Sequence, residues 1–468
     1  MKTIRKRWHA LGVALTIGIV GGCDFIDPID VDPNAIPTAT VDQILTGVQV
    51  NSFSFAEGQL GRLAAMWTQQ MAGTDRQFTI LDSWVFTEEE GDDYYNNLYT
   101  GGGLIDIREG VAQAQETGTA RAQTIAGILK LHEAYLFGMG TSVWGDMVYR
   151  EAVNPEEFPQ PTLDPQSQVY ADVQALLDEA IADLNAGGTH SIAADIVFGG
   201  NHEKWVTIAN SLKARFYLHT GDLASAITAG QAGISAPADN WMTVHSSSSS
   251  EDNHWWEFMV EQRSGYISAG QFLVDLLQNN DDPRLSIYYS EDSGGGYSGS
   301  PPALSGAGFS ELADAYGAPG ASHAIISCAE TQFIIAEAQL RGGDAGAAQA
   351  ALDAGTACQE ARWGITVPTY YPADLEREIM TQKYIANFLN LETWMDYRRT
   401  CLPDVRSTEP ASGGGRAGNQ YPARIYYADD ETQNNVNIPT AGAPGNTLRK
   451  ADMETLSGFW SAENACLP

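Results

Sequence analysis

Apolar residues recur at helical spacing along most of this chain. Between Leu104 and Phe137 the residues Ile125, Ile128, Leu129 and Leu136 share one face, which predicts a largely helical run. Val169, Val173, Leu176, Leu177, Ile181 and Leu184 form a second stripe, and the pair Gly187–Gly188 that follows favours a helix stop. A third stripe, Trp205, Ile208, Ala209, Leu212 and Phe216, leads into the turn Thr220-Gly221-Asp222 and an Ala-rich second helix. The same unit returns from Cys328 to Gly355, where "LRGGD" (Leu340 to Asp344) aligns with "LHTGD" (Leu218 to Asp222). In both, the Asp after the Gly is placed to cap the incoming helix, and small Ala residues let the two helices approach closely. These are tetratricopeptide-type helix hairpins in outline, without the full repeat pattern. Residues 374–400 supply another candidate hairpin. The stretch "GTSVWGDMVYREA" (Gly140 to Ala152) supplies one more, with a long connection. Residues 41–72 also read as helical.

The periodicity lapses over residues 73–103, 236–324 and 402–448, which are rich in Gly, Ser, Asn, Asp and aromatics. Long aperiodic segments in a compact domain are usually functional or disordered. Rigid aromatic faces beside polar donors suit sugar rings or peptides. On that ground Trp84, Trp255, Trp256, Tyr297 and Tyr316 are the candidate ligand-binding residues. The competing reading is that loop aromatics pin their loops to the core, since large aromatics are mostly buried. For Trp144-Gly145-Asp146 a structural corner is expected: the ring fills the end of a helix while Gly145 and Asp146 turn the chain.

The N-terminus changes the picture. Lys2, Arg5, Lys6 and Arg7 precede an apolar run from Leu11 to Val20. That run is shorter than the about 20 residues needed to span a bilayer and reads as a secretory signal peptide, residues 1–22. "VGGC", Val20 to Cys23, resembles a bacterial lipobox, which predicts cleavage before Cys23 and acylation of its thiol. Residues 23–40, acidic and Pro-containing, are then a lipidated flexible tether. Residues 41–468 follow as a single domain with an irregular insertion at about 236–324.

With Cys23 lipidated, Cys328, Cys358, Cys401 and Cys466 remain, and several connectivities are open. Cys328 and Cys358 lie equally far from Gly343 in the turn of their hairpin, so antiparallel helices would bring them opposite each other. Cys328–Cys358 is a plausible clamp and leaves Cys401–Cys466; the alternative is four free buried thiols.

Acidic residues dominate, 59 Asp+Glu against 26 Lys+Arg, which argues against nucleic-acid binding because phosphates require basic patches. Enzyme motifs are missing: there is no GxSxG, HExxH, P-loop or CxxC. His202, His245 and His254 lack ligand spacing, and His202-Glu203 and Asp252-Asn253-His254 read as solvated loop groups, so no metal and no cofactor are expected.

Several separate segments carry a family resemblance. "VDPNAIPTATVDQILTG" (Val31 to Gly47), "YYNNLYTGGGLIDI" (Tyr94 to Ile107), "LFGMGTSVWGDMVYREA" (Leu136 to Ala152), "WVTIANSLKARFYLHTGD" (Trp205 to Asp222), "EIMTQKYIANFLNLETWMDYRRTCLPDV" (Glu378 to Val405) and "ARIYYADDETQNN" (Ala423 to Asn435) occur in an order that resembles the SusD/RagB family of outer-membrane lipoproteins. Met147-Val148 stands where the family has Val-Pro, and Tyr427-Ala428 where it has Tyr-Pro. The resemblance implies a mainly α fold, with four tetratricopeptide-like hairpins as scaffold and loop-rich insertions carrying the ligand face. It further implies a lipid-anchored, surface-exposed outer-membrane protein that is not an enzyme. Such a protein captures an oligosaccharide or a peptide and delivers it to a SusC-like TonB-dependent transporter. The rival expectation is a tetratricopeptide-type scaffold that binds only protein in the cell envelope.

Overall fold

In the computed structural model, residues 39–410, 414–454 and 456 are described, and helices dominate them. The signal peptide, Cys23, nearly all of the tether, and Cys466 lie outside the described residues. The described residues from Val41 onward fall into one compact unit. No helix among the described residues is long and apolar enough to cross a membrane.

Helix α1 (Val41–Glu57) and α2 (Gln59–Trp67) are separate because the chain turns at Gly58, where a Cβ would lie 2.4 Å from the Ser54 carbonyl oxygen. Strand β1 (Met71–Gly73) follows, then a loop-rich stretch leading to α3 (Leu104–Thr117) and α4 (Ala120–Trp144). The single helical run expected from Leu104 to Phe137 is thus two helices. Thr119 ends the break by accepting the Ala122 N–H at its hydroxyl, a local cap that apolar periodicity does not register.

Helix α4 packs along α5 (Gln166–Gly187) as the first hairpin. The second pairs α6 (His202–Thr220) with α7 (Leu223–Gln231). The insertion then supplies β2 (Trp241–Met242), β3 (Ile267–Ala269), α8 (Gln271–Asn279) and β4 (Ala324–Ile326). A third hairpin joins α9 (Cys328–Arg341) to α10 (Ala345–Trp363), and a fourth joins α11 (Leu375–Ala386) to α12 (Glu392–Thr400). Successive hairpins stack through α5 on α6, α7 on α9 and α9 on α11. Asp222 and Asp344 cap as their position after Gly suggests, accepting the N–H groups of Ser225 and Ala347. Ala214, Ala226, Ala229 and Ala338 interleave with Leu218 and Ile334 between the second and third hairpins. Cys328 and Cys358 are disulfide-bonded across the third hairpin, Cα atoms 5.9 Å apart. Cys401 is also disulfide-bonded, and Cys466, the partner expected for it, lies outside the described residues.

Two antiparallel ribbons fasten the insertion: β1 pairs with β3, Met71 opposite Ala269, and β2 pairs with β4, Trp241 opposite Ile326. Beneath them lies a buried aromatic core. His132 on α4 sits in it, its ring 5.5 Å from Trp205 and 5.0 Å from Trp241, with Nδ1 bonded to the Ser52 hydroxyl at 2.7 Å. Burial lowers the His132 pKa to about 3, with the charge of Asp195 opposing. An unfolded histidine titrates at about 6.5, so below that pH the unfolded chain takes up a proton that the folded chain refuses. Stability is therefore full above the unfolded value and drains as pH falls. His132→Leu should remove this loss. Its melting temperature relative to the native protein should rise between about pH 7 and about pH 4, and a pH-independent difference would contradict the assignment.

Candidate ligand-binding site

A cleft of about 500 Å³ opens where α1 meets the insertion, a size suited to a small ligand. Its apolar wall includes Val50 and Val244, both large apolar side chains left exposed to solvent. Opposite them stand Ser246, Ser249, Ser250, Glu251, Asp252, His254 and Glu257. Apolar faces for a ring beside hydroxyls and carboxylates for its substituents make this a binding arrangement. A second depression, about 550 Å³ between α10 and α11, is less suited. Two of its carboxylates are occupied in fastening the loop, Glu378 taking the N–H groups of Tyr370 and Tyr371, and Glu360 that of Val367.

The serine-rich lip of the cleft has a defined hold. Ser246 donates its hydroxyl to Glu251 at 2.7 Å, and the Glu251 N–H closes a turn on the Ser248 carbonyl. His245 ties this lip to α1: its Nε2 lies 2.8 Å from the buried Glu57 carboxylate. Burial disfavours the His245 cation, but the hydrogen bond and charge of Glu57 outweigh it and raise the pKa. Burial likewise raises Glu57, and the opposing pull of His323 and His245 leaves it below the usual carboxylate range. His254 bonds the Ser54 hydroxyl at 3.0 Å, and burial lowers its pKa.

Of the groups expected to be solvated at 252–254, Asp252 and His254 stand half-exposed at the cleft, and only Asn253 departs from the expectation. His245 keeps 5% of its side-chain surface exposed, and Asn253 is fully buried, accepting the N–H groups of Trp255 and Trp256. The sequence shows only a polar loop here, because the carboxylate that organises it comes from α1. Among the described residues no cluster of His, Cys, Asp or Glu is placed to hold a metal ion.

The five candidate aromatics separate by burial. Trp84, 3% exposed, is covered by Tyr421 at 5.2 Å and by the guanidinium groups of Arg416 and Arg406 at 4.6 and 5.1 Å. Trp255 is wholly buried. Tyr316 lies among Tyr288, His323, Phe388 and Trp363. None of these three rings offers a face to a ligand, because each is the plug that seats its own loop. Trp256 and Tyr297 are half-buried. Trp256 follows the cleft-lining His254 and precedes the cleft-lining Glu257 in sequence, Tyr297 belongs to the turn organised by Asp292, and neither ring is part of the cleft wall.

The Trp144 corner is structural. Trp144 is fully buried and donates Nε1–H to the Tyr426 carbonyl at 3.0 Å. Gly145 turns the chain at φ +82°, a conformation that a side chain disfavours. Asp146 accepts the Gln166 N–H at the start of α5, and Met147 pairs with Asp164.

A family model described as "Starch-binding associating with outer membrane" (SusD-like) matches residues 33–428. Solved structures share the fold. A chitin-binding protein superposes with TM-score 0.71 at 21% identity, covering 85% of this chain and 94% of its own. A SusD/RagB family protein from Bacteroides thetaiotaomicron gives 0.70 at 19% identity, covering 86% and 95%. A chitin-binding SusD homologue from Flavobacterium johnsoniae gives 0.68 at 19% identity, covering 84% and 92%. Among curated proteins no match is found.

Proposed function

The chain belongs to the SusD-like family described as starch-binding and associating with the outer membrane, and from that premise we propose that it is a surface nutrient-binding lipoprotein that captures an oligosaccharide and hands it to a SusC-like TonB-dependent transporter. The family match over residues 33–428 carries the reading, and two similar structures, both of chitin-binding proteins, favour a glycan over a peptide. Binding without turnover is the expected activity. The cleft between α1 and the insertion is the proposed site, and the half-buried Trp256, next in sequence to the lining residue Glu257, is the candidate aromatic beside it. Cys23 is the proposed acylation site, and an unmodified Cys23 by mass spectrometry of the membrane-extracted protein would count against it.

Purification from membranes tests the transporter: a β-barrel partner should co-purify, and recovery of envelope assembly proteins alone would favour a protein-binding scaffold instead. Trp256→Ala should weaken glycan binding about 3- to 10-fold, the value of one stacked ring, with an unchanged melting temperature. Trp84→Ala, Trp255→Ala and Tyr316→Ala should lower the melting temperature instead, because those rings are core. Calorimetry and thermal unfolding on the four variants separate the two classes. Unaltered affinity in Trp256→Ala would remove this residue from the site.

A further inference from the structure

The serine-rich lip, Val244 to Asp252, supplies more than half of the residues that line the cleft, so the cleft exists only while that lip is in place. Little burial holds it there: Val244 and the run from Ser247 to Glu251 are exposed. A segment with few buried apolar contacts opens at low cost. Its ends are fastened. The Thr243 N–H bonds the His323 carbonyl, and Asn253 donates to the carbonyls of Pro319 and Ala321. Between those ends the bonds close within the lip itself, Ser246 to Glu251, Ser248 to Ser246 and Glu251 to Ser248. His245 is the exception. Among the described residues, its contact with Glu57 on α1, Nε2 to carboxylate at 2.8 Å, is the one hydrogen bond from 244–252 to another element.

Three histidines stand near the buried Glu57 carboxylate. His245 bonds it, the His254 ring lies 6.1 Å from that of His245, and His323 lines a small cavity together with Glu57. Burial lowers the pKa of His254 and of His323 against the pull of Glu57, so both are neutral at pH 7. Burial also disfavours the His245 cation, but Glu57 and the backbone oxygens of Glu251 and Asp252 outweigh it. The proton therefore sits on His245. The remaining charged groups on that side are carboxylates: Asp252, Glu251, which accepts the Ser246 hydroxyl, and Glu257, which accepts the Gln262 amide and lies 4.0 Å from His254 Nδ1. A neutral imidazole has a single N–H, so only the cation serves Glu57 on one side and the oxygens of the lip on the other.

We propose that protonated His245 is the latch that holds the serine-rich lip against α1, so that the cleft keeps its shape while this imidazole carries a proton and opens when it loses it. The proposal rests on the cleft being the ligand site. His245 is a positioning residue, 5% exposed in its side chain, and it acts on a ligand through the lip. Because its pKa is raised, the latch is complete below the unfolded histidine value of about 6.5 and is lost as pH rises through the higher folded value. Glu57 is held below the usual carboxylate range, so its share is lost only in acid, as pH falls through its own folded value.

Hydrogen exchange of residues 244–253, read by mass spectrometry from about pH 6 to about pH 9 and corrected for intrinsic rates, tests the latch. Protection of the lip should fall about tenfold or more as pH rises, the value of one hydrogen bond to a charged group, while α5 keeps its protection. His245→Gln should abolish this step. Glu57→Gln should move it to lower pH, because the carboxylate that favours the cation is gone; a merely structural role would not shift a midpoint. Chitohexaose and maltohexaose carry no titrating group, so any pH dependence of their affinity belongs to the protein. Whichever binds should lose about tenfold in affinity across the same step. A lip equally protected at both ends of the range, or a step that survives in His245→Gln, overturns the latch. A step in exchange with constant glycan affinity overturns its hold on the cleft and leaves glycan capture standing. If neither oligomer binds at any pH, glycan capture falls, and the exchange step alone decides the latch.

Discussion

Arg399→Met is expected to destabilise the protein by about 3–5 kcal/mol, the cost of leaving buried acids without their cation. Arg399 is fully buried and grips Glu337 through both ends of its fork, at 2.7 and 2.9 Å, while also bonding Asp396. Lys383 reaches Asp396 at 2.8 Å and Glu337 at 3.8 Å, and Arg341 meets Glu337 from its more exposed side at 2.9 Å. Burial alone would push Glu337 up, but Arg399 and its neighbours hold it far below the usual carboxylate range. This cluster joins α9 to α11 and α12, so its loss should loosen the third hairpin from the fourth. Thermal unfolding should show a large drop for Arg399→Met, partly reversed by adding Glu337→Gln, which neutralises one stranded acid. A double variant as unstable as the sum of its parts would mean that the ion pair is not the source. Because Glu337 is depressed, its contribution is full above the unfolded value and is lost as pH falls toward the folded one, so the variant's deficit should shrink in acid.

Trp144→Ala should cost a comparable ~3–5 kcal/mol, the range for deleting a large buried aromatic. The ring packs edge-on against Tyr95 at 5.3 Å, and its N–H satisfies the Tyr426 carbonyl. Truncation opens a cavity and strands that carbonyl. Around it the corner is tied three ways: Asp146 starts α5, the Tyr427 hydroxyl donates to the Asp146 carbonyl, and Thr141 donates to the Gly145 carbonyl. Melting should fall steeply while the glycan affinity of the remaining folded protein stays constant. Reduced affinity with unchanged melting would instead make Trp144 part of a ligand site. Trp144→Phe should recover much of the loss, since it refills most of the volume and forfeits only the hydrogen bond.

The hairpins were legible because their signals are local. Spacing of apolar residues, an Asp after a Gly and a run of alanines act within one or two turns of helix, and they specified α6, α7, α9 and α10 directly. The break at Gly118–Thr119 and helix α8 were harder. One depends on a single cap, and the other is a nine-residue helix inside turn-rich sequence. The ligand residues were least legible. Composition marked a loop that lines the proposed cleft, "HSSSSSEDNHWW", but not that Trp255 is buried while Trp256 is only half-buried.

What the sequence determined by itself was the helical scaffold, the family and the Trp144 corner, each resting on interactions between neighbours along the chain or on an ordered set of motifs. Tertiary structure alone decided which polar and aromatic groups are buried and which line the cleft. Trp84 is covered by Arg416 and Tyr421, and His245 is held by Glu57. Those partners lie roughly two hundred residues or more along the chain. Burial and ion pairing are set by the folded neighbourhood, and no local pattern of residues encodes it.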